Sequence, residues 1–167
     1  AIFLIVCGVI FRLLPHAAYF TPIAAIALFG GVYIQRRYAL LLPLAALIIS
    51  DSAIGFGSLR TRLSVYGSFL IIGLIGMAIR NKKSVLTVIG GTLGGSVIFY
   101  LITNFAFFYP TTMYAHNVSG IMSSYFNALP FLRNTLLGDI FYVGVLFGTY
   151  ELALHRSKYF SLIKKTA

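Results

Sequence analysis

The chain has three acidic residues, Asp51, Asp139 and Glu151, and each lies in or beside an apolar run. A carboxylate in a lipid-facing segment is costly unless it is paired or put to use. The residue types that could join these acids are Arg12, His16, Asn104 and Arg133. Two guanidiniums could hold a carboxylate ligand or balance the acids. Asp51, Asp139 and Asn104 could bind the polar part of a small molecule. Tyr19, Tyr109 and Tyr125 could supply aromatic walls, as in sites that are mostly apolar with few orienting groups. The competing reading is an ion-pair staple between helices, such as Arg12 with Asp51. A third is an intramembrane acid pair sharing a proton between Asp51 and Asp139.

The elements that must position these groups follow from composition. Of the 167 residues, 59% are hydrophobic and only 10% are charged. A soluble domain carries about 25% charged residues. With mean hydropathy of +0.93, the chain is expected to be an integral membrane protein. The net charge of +10 is then a topological signal and not a nucleic-acid footprint. Cys7 is alone and excludes an intrachain disulfide. The chain begins at Ala1 and not at Met, so the first segment is treated as open to truncation.

Six apolar runs predict an all-α transmembrane bundle in one domain over 1–167. They cover about 1–14, 22–33, 38–56, 63–79, 84–109 and 132–155, with a long outer connector at 110–131. The second run is short for a full span. No run alternates in polarity as a barrel strand would. Arg36 and Arg37, then Arg80, Lys82 and Lys83, then Arg156, Lys158, Lys164 and Lys165 fall on one side. Arg12, Arg60, Arg62 and Arg133 fall on the other. The positive-inside rule places both termini in the cytoplasm. Arg12, His16, Asp51, Asn104, Arg133 and Asp139 are then expected in the outer third, around a pocket opening outward.

Small residues four apart, at Gly90 and Gly94, Gly91 and Gly95, and Gly144 and Gly148, predict close helix packing within the chain. Glu151 and His155, also four apart, predict a helix-end pair. The connector at 110–131, with His116, Asn117, Ser123, Ser124 and Tyr125, reads either as a ligand lid or as an interfacial segment. Several activities lack their signatures. There is no Walker loop, no Gly-x-Ser-x-Gly elbow and no run of arginines at every third position. His16, His116 and Met113 are too scattered for a metal site. No catalytic group, metal or cofactor is expected, and the chain is not read as an enzyme.

The stretches RLLPHAAYFTPIAAIALFGG, SDSAIGFG, VYGSF and the run from ITNFAFFYP to GVLFGTYE resemble an uncharacterised family of small bacterial membrane proteins, described only as candidate transport proteins. That family is similar in fold to the S components of energy-coupling-factor transporters. The resemblance implies six helices and a vitamin-sized site near the outer face, closed by connectors one-two, three-four and five-six. It implies a T component with two ATPases as partners and the bacterial inner membrane as location. Segment one, AIFLIVCGVIF, shows no clear form of the Ala-x-x-x-Ala contact typical of S components. The sequence leaves a second class of function standing, a non-transporting subunit of a larger membrane complex.

Overall fold

Residues 23–33, IAAIALFGGVY, offer no polar face, and a helix apolar all round has to be buried. In a computed structural model of the chain, α2 (Ile23–Tyr33) is the central element, with every residue from Ile23 to Val32 buried. The structure describes residues 1–15 and 20–166, with side chains through Ser157. Around α2 lie α1 (Ile2–Leu13), α4 (Leu41–Ile54), α5 (Leu59–Ile79), α6 (Val85–Thr103) and α7 (Val118–Thr166). A short α3 (Arg36–Ala39) and two 3-10 turns, Arg80–Lys82 and Ala106–Phe108, complete the described elements.

Much of the exterior is apolar. Ile48, Leu74, Leu86, Leu137 and Phe141 are all exposed on outward faces, as a lipid-facing surface requires and a water-facing one would not tolerate. Four helical stretches are long and apolar enough to cross a membrane: Arg36–Ile54, Leu59–Lys82, Val85–Thr103 and Val118–Ser157. The other two expected spans, α1 and α2, are shorter apolar helices. With 11 residues, α2 extends only about 16 Å, short of the ~30 Å hydrocarbon layer.

Local chemistry resets several boundaries. The third run ends at Ile54 and not at 56, because Gly55 adopts φ of 107° and closes the helix. The fourth begins at Leu59 and not at 63, because the Ser58 hydroxyl accepts the Thr61 N–H and caps it. The fifth starts with a Ser84–Thr87 capping box and ends at Thr103. There the Asn104 side chain donates to the Tyr100 carbonyl at 2.9 Å. The larger correction concerns the connector expected at 110–131. Its second half is helix, since α7 begins at Val118, where Asn117 Oδ1 accepts the Gly120 N–H at 2.9 Å. Ser124, Ala128, Thr135, Asp139, Val143 and Phe147 then form one buried stripe down α7. Pro130 sits inside this helix and removes one backbone donor without ending it.

The tightest crossing is α2 on α5. A Cβ on Gly31 would fall 2.8 Å from the Gly76 Cα and clash with the Gly73 carbonyl, and one on Gly76 would meet the Gly31 Cα at 3.0 Å. The packing glycines expected in α6 and α7 divide. Gly91 and Gly95 lie against Ile72, Ile75 and Ile79 of α5, whereas Gly90, Gly94, Gly144 and Gly148 face open space. For those four the expectation of packing within the chain is corrected. Their smallness serves no contact inside the bundle.

Candidate functional site

The last turn of α1 and the end of α4 meet through charge. Arg12 Nη1 lies 2.5 Å from Asp51 Oδ1. The same nitrogen donates to Ser50 Oγ at 2.5 Å and to the Leu47 carbonyl at 3.3 Å. From α5, the Tyr66 hydroxyl donates to Asp51 Oδ2 at 2.7 Å. Both carboxylate oxygens are therefore engaged. Asp51 is 7% exposed and Ser50 fully buried. Taking these groups out of water is repaid only by such complete pairing. Three helices are thus joined by one polar network.

Asp139 occupies a different layer. It is 3% exposed, and the Ser96 hydroxyl of α6 donates to its Oδ2 at 2.6 Å. Beside it a crevice with no room for a water molecule is lined by Ala24, Leu28, Ile72, Thr92 and Val143. On α5, Tyr66 marks the level of Asp51 and Ile72 that of Asp139. Six residues separate them, or about 9 Å along the axis.

The residues flanking the α1–α2 link reach both layers. Arg12 of α1 pairs with Asp51, and Phe20, before α2, packs on α7. A Cβ on Gly138, next to Asp139, would meet the Phe20 Cα at 3.1 Å. The Phe20 ring also lies 5.4 Å from that of Tyr142. His16 and Tyr19 fall outside the described residues.

The other expected site residues gather elsewhere or stand apart. Asn104, Tyr109 and Tyr125 cluster where α6 ends. The Tyr109 hydroxyl donates to the Thr103 carbonyl at 2.9 Å and that of Tyr125 to the Leu101 carbonyl at 2.8 Å. The rings of Tyr100 and Tyr125 lie 5.6 Å apart. Arg133 is exposed. The cavity between α5 and α6, of about 560 Å³, is lined by Arg60, Leu63, Ser64, Phe107 and others. A larger one between α6 and α7 includes Gly144 and Gly148. Neither is lined by Arg12, Asp51, Asn104, Tyr109, Tyr125, Arg133 or Asp139. Among the described residues, the expected site groups fall in two buried layers and a separate aromatic cluster.

A second polar set, at the opposite end of the bundle, went unread. Arg80 donates from Nε and Nη2 to the Gly31 carbonyl at 3.0 and 2.7 Å, and from Nη2 to the Ile34 carbonyl. It supplies the donors that the last turn of α2 lacks. Glu151 pairs with Lys83 at 2.5 Å and accepts the Tyr33 hydroxyl. Its principal partner is therefore Lys83 across the helices, not the expected His155. The hydrogen bond to Glu151 holds the Lys83 ammonium above its ordinary range. Among the described residues no group of three or more His, Cys, Asp or Glu is placed to hold a metal ion.

This arrangement has a counterpart at the level of sequence families. A family of unknown function, DUF6580, matches residues 1–162. The chain belongs to DUF6580. No curated protein and no solved structure matches it. Membership therefore extends over nearly the whole bundle and attaches no chemistry to it.

Proposed function

We propose that this DUF6580 protein is a membrane-embedded subunit that captures or transports a small organic nutrient, of the vitamin or vitamin-precursor class. The observation that carries the reading is that Arg12, in the last turn of α1, joins the Asp51–Tyr66 network, while Phe20, just before α2, packs on the helix bearing Asp139. Ionisable groups inside membrane helices are functional until shown otherwise. A short, fully buried central helix beside them supports the same reading, since transporter sites favour helices that stop within the membrane. On this reading Arg12 and Phe20 flank the ligand, and Asp51 and Asp139 receive its polar groups. The fold is S-component-like, and a T component with two ATPases supplies the energy. The protein resides in the bacterial cytoplasmic membrane with both termini in the cytoplasm.

Calorimetric and thermal-shift titration of the purified protein against a vitamin and precursor panel tests this. A ligand that stabilises wild type and fails on Asp139→Asn or Asp51→Asn is the expected outcome. Asp139→Asn is chosen because it keeps an oxygen for Ser96. A folded protein that responds to no compound on the panel would overturn the reading.

One observation favours a second reading. The Gly90 and Gly94 face of α6 is open, and small residues of this spacing admit a neighbouring helix closely. A non-transporting subunit of a larger membrane complex would use its polar networks as staples and this face as a contact. Purification in mild detergent separates the two readings. A stoichiometric membrane partner without an ATPase supports the second.

A further inference from the structure

A void lies between α6 and α7, on the side away from the Arg12–Asp51 network. It measures about 740 Å³, within the range of small-molecule sites. Its floor owes its depth to Gly144 and Gly148, whose missing side chains have nothing within 4 Å. Val88, Ile89, Ile140 and Phe147 make the rest of the channel apolar. Ile89 and Ile140 are about half exposed, so the channel opens sideways toward lipid.

The Thr92 hydroxyl within the channel is spent on the Val88 carbonyl, and charge is confined to one end. There Tyr33, Lys83 and Glu151 line the void, with Lys83 Nζ 4.6 Å from the Tyr33 ring centre. A crossing helix would ask for an apolar groove at both ends, whereas a molecule with one charged head and a long tail asks for this asymmetry. The sign of the head follows from the neighbours. Arg80, Lys82 and Lys83 fall within four residues, and Arg156 lies just beyond Glu151 on α7. Glu151 is the lone acid against them. Basic pockets between membrane helices suit phosphate head groups.

We propose that the α6–α7 groove is a specific site for one anionic phospholipid, its acyl chain over Gly144 and Gly148 and its phosphate on Lys83. An ammonium has three donors, so Lys83 can hold Glu151 and a phosphate oxygen together. The site stands apart from the solute reading above and does not depend on it.

Native mass spectrometry of the protein released from nanodiscs tests the assignment, with phosphatidylglycerol and phosphatidylcholine at equal content. Wild type is expected to retain one phosphatidylglycerol selectively, and added inorganic phosphate is expected not to displace it. Gly148→Leu fills the groove and should abolish retention, while Gly94→Leu, on an open face outside the groove, should not. Lys83→Gln should weaken retention roughly fivefold, as expected for one juxtamembrane cation, and Lys83→Arg should restore it. Glu151→Gln decides between a lipid site and a mere staple. Removing the competing acid should strengthen retention, whereas a staple would suffer from either change. Equal retention of both lipids, survival of binding in Gly148→Leu, or parallel loss in Lys83→Gln and Glu151→Gln would overturn the proposal.

Discussion

Arg12 Nη1 and Asp51 Oδ1 stand 2.5 Å apart, and through them a helix of twelve residues is fastened to the end of α4. The side chains are 23% and 10% exposed, so neither charge can turn to water if the other is removed. Arg12→Leu or Asp51→Leu alone is expected to destabilise the bundle by about 3–5 kcal/mol. The double Leu variant should recover most of that loss, because no charge is left stranded. Unfolding titrations in mixed detergent micelles, arranged as a double-mutant cycle, measure the coupling. Simple additivity of the two losses would show that the pair does not act as a unit.

The crossing of α2 on α5 predicts a sharp contrast among glycines. Gly76→Ala places a methyl against the backbone of Gly31 and Leu28, where no side chain can move aside. Its cost should reach or exceed the ~1–3 kcal/mol typical of overpacking. Gly94→Ala meets open space and should instead gain up to about 1 kcal/mol from helix propensity. The same detergent titrations rank the two variants against wild type.

Arg80 is expected to matter through the end of α2 and not through its charge alone. Arg80→Met should cost about 1.5–3 kcal/mol, the scale of charge-assisted hydrogen bonds. Arg80→Lys should recover little of it, since one ammonium cannot reproduce a fork that spans the Gly31 and Ile34 carbonyls. Hydrogen exchange is the discriminating measurement. Faster exchange confined to the last turn of α2 is expected, and uniform acceleration across the bundle would contradict a local capping role.

The sequence made some parts of this structure legible and hid others for physical reasons. Apolar run length marked every major helix, because lipid-facing and buried residues are alike in composition. The same likeness hid that α2 is a wholly buried helix of 11 residues. The rare charges located the Arg12–Asp51 pair, since so few partners compete. Their hydroxyl partners Ser50, Tyr66 and Ser96 carried no comparable signal. Serine and tyrosine are common in such helices, and only the fold brings Ser50 to Arg12 and Tyr66 and Ser96 to a carboxylate. Arg80, Lys82 and Lys83 read as a topology mark, and that reading concealed the cap and the clamp that two of them make. The first half of α7 was missed because its polar residues suggested a loop. Asn117 at the cap position, with Gly120, Ser124 and Ala128 at helical spacing, was the signal that could have found it.

The backbone contact between Gly31 and Gly76 also bears on how such a bundle can move. Two helices that touch main chain to main chain have no side-chain cushion to slide on, so α2 and α5 must travel as one rigid body. Opening of the bundle has to come from the outer pairs, α1 with α4 or α6 with α7, swinging about that fixed spine. The hinge points are then the polar fastenings already described, Arg12 on Asp51 on one side and Lys83 on Glu151 on the other.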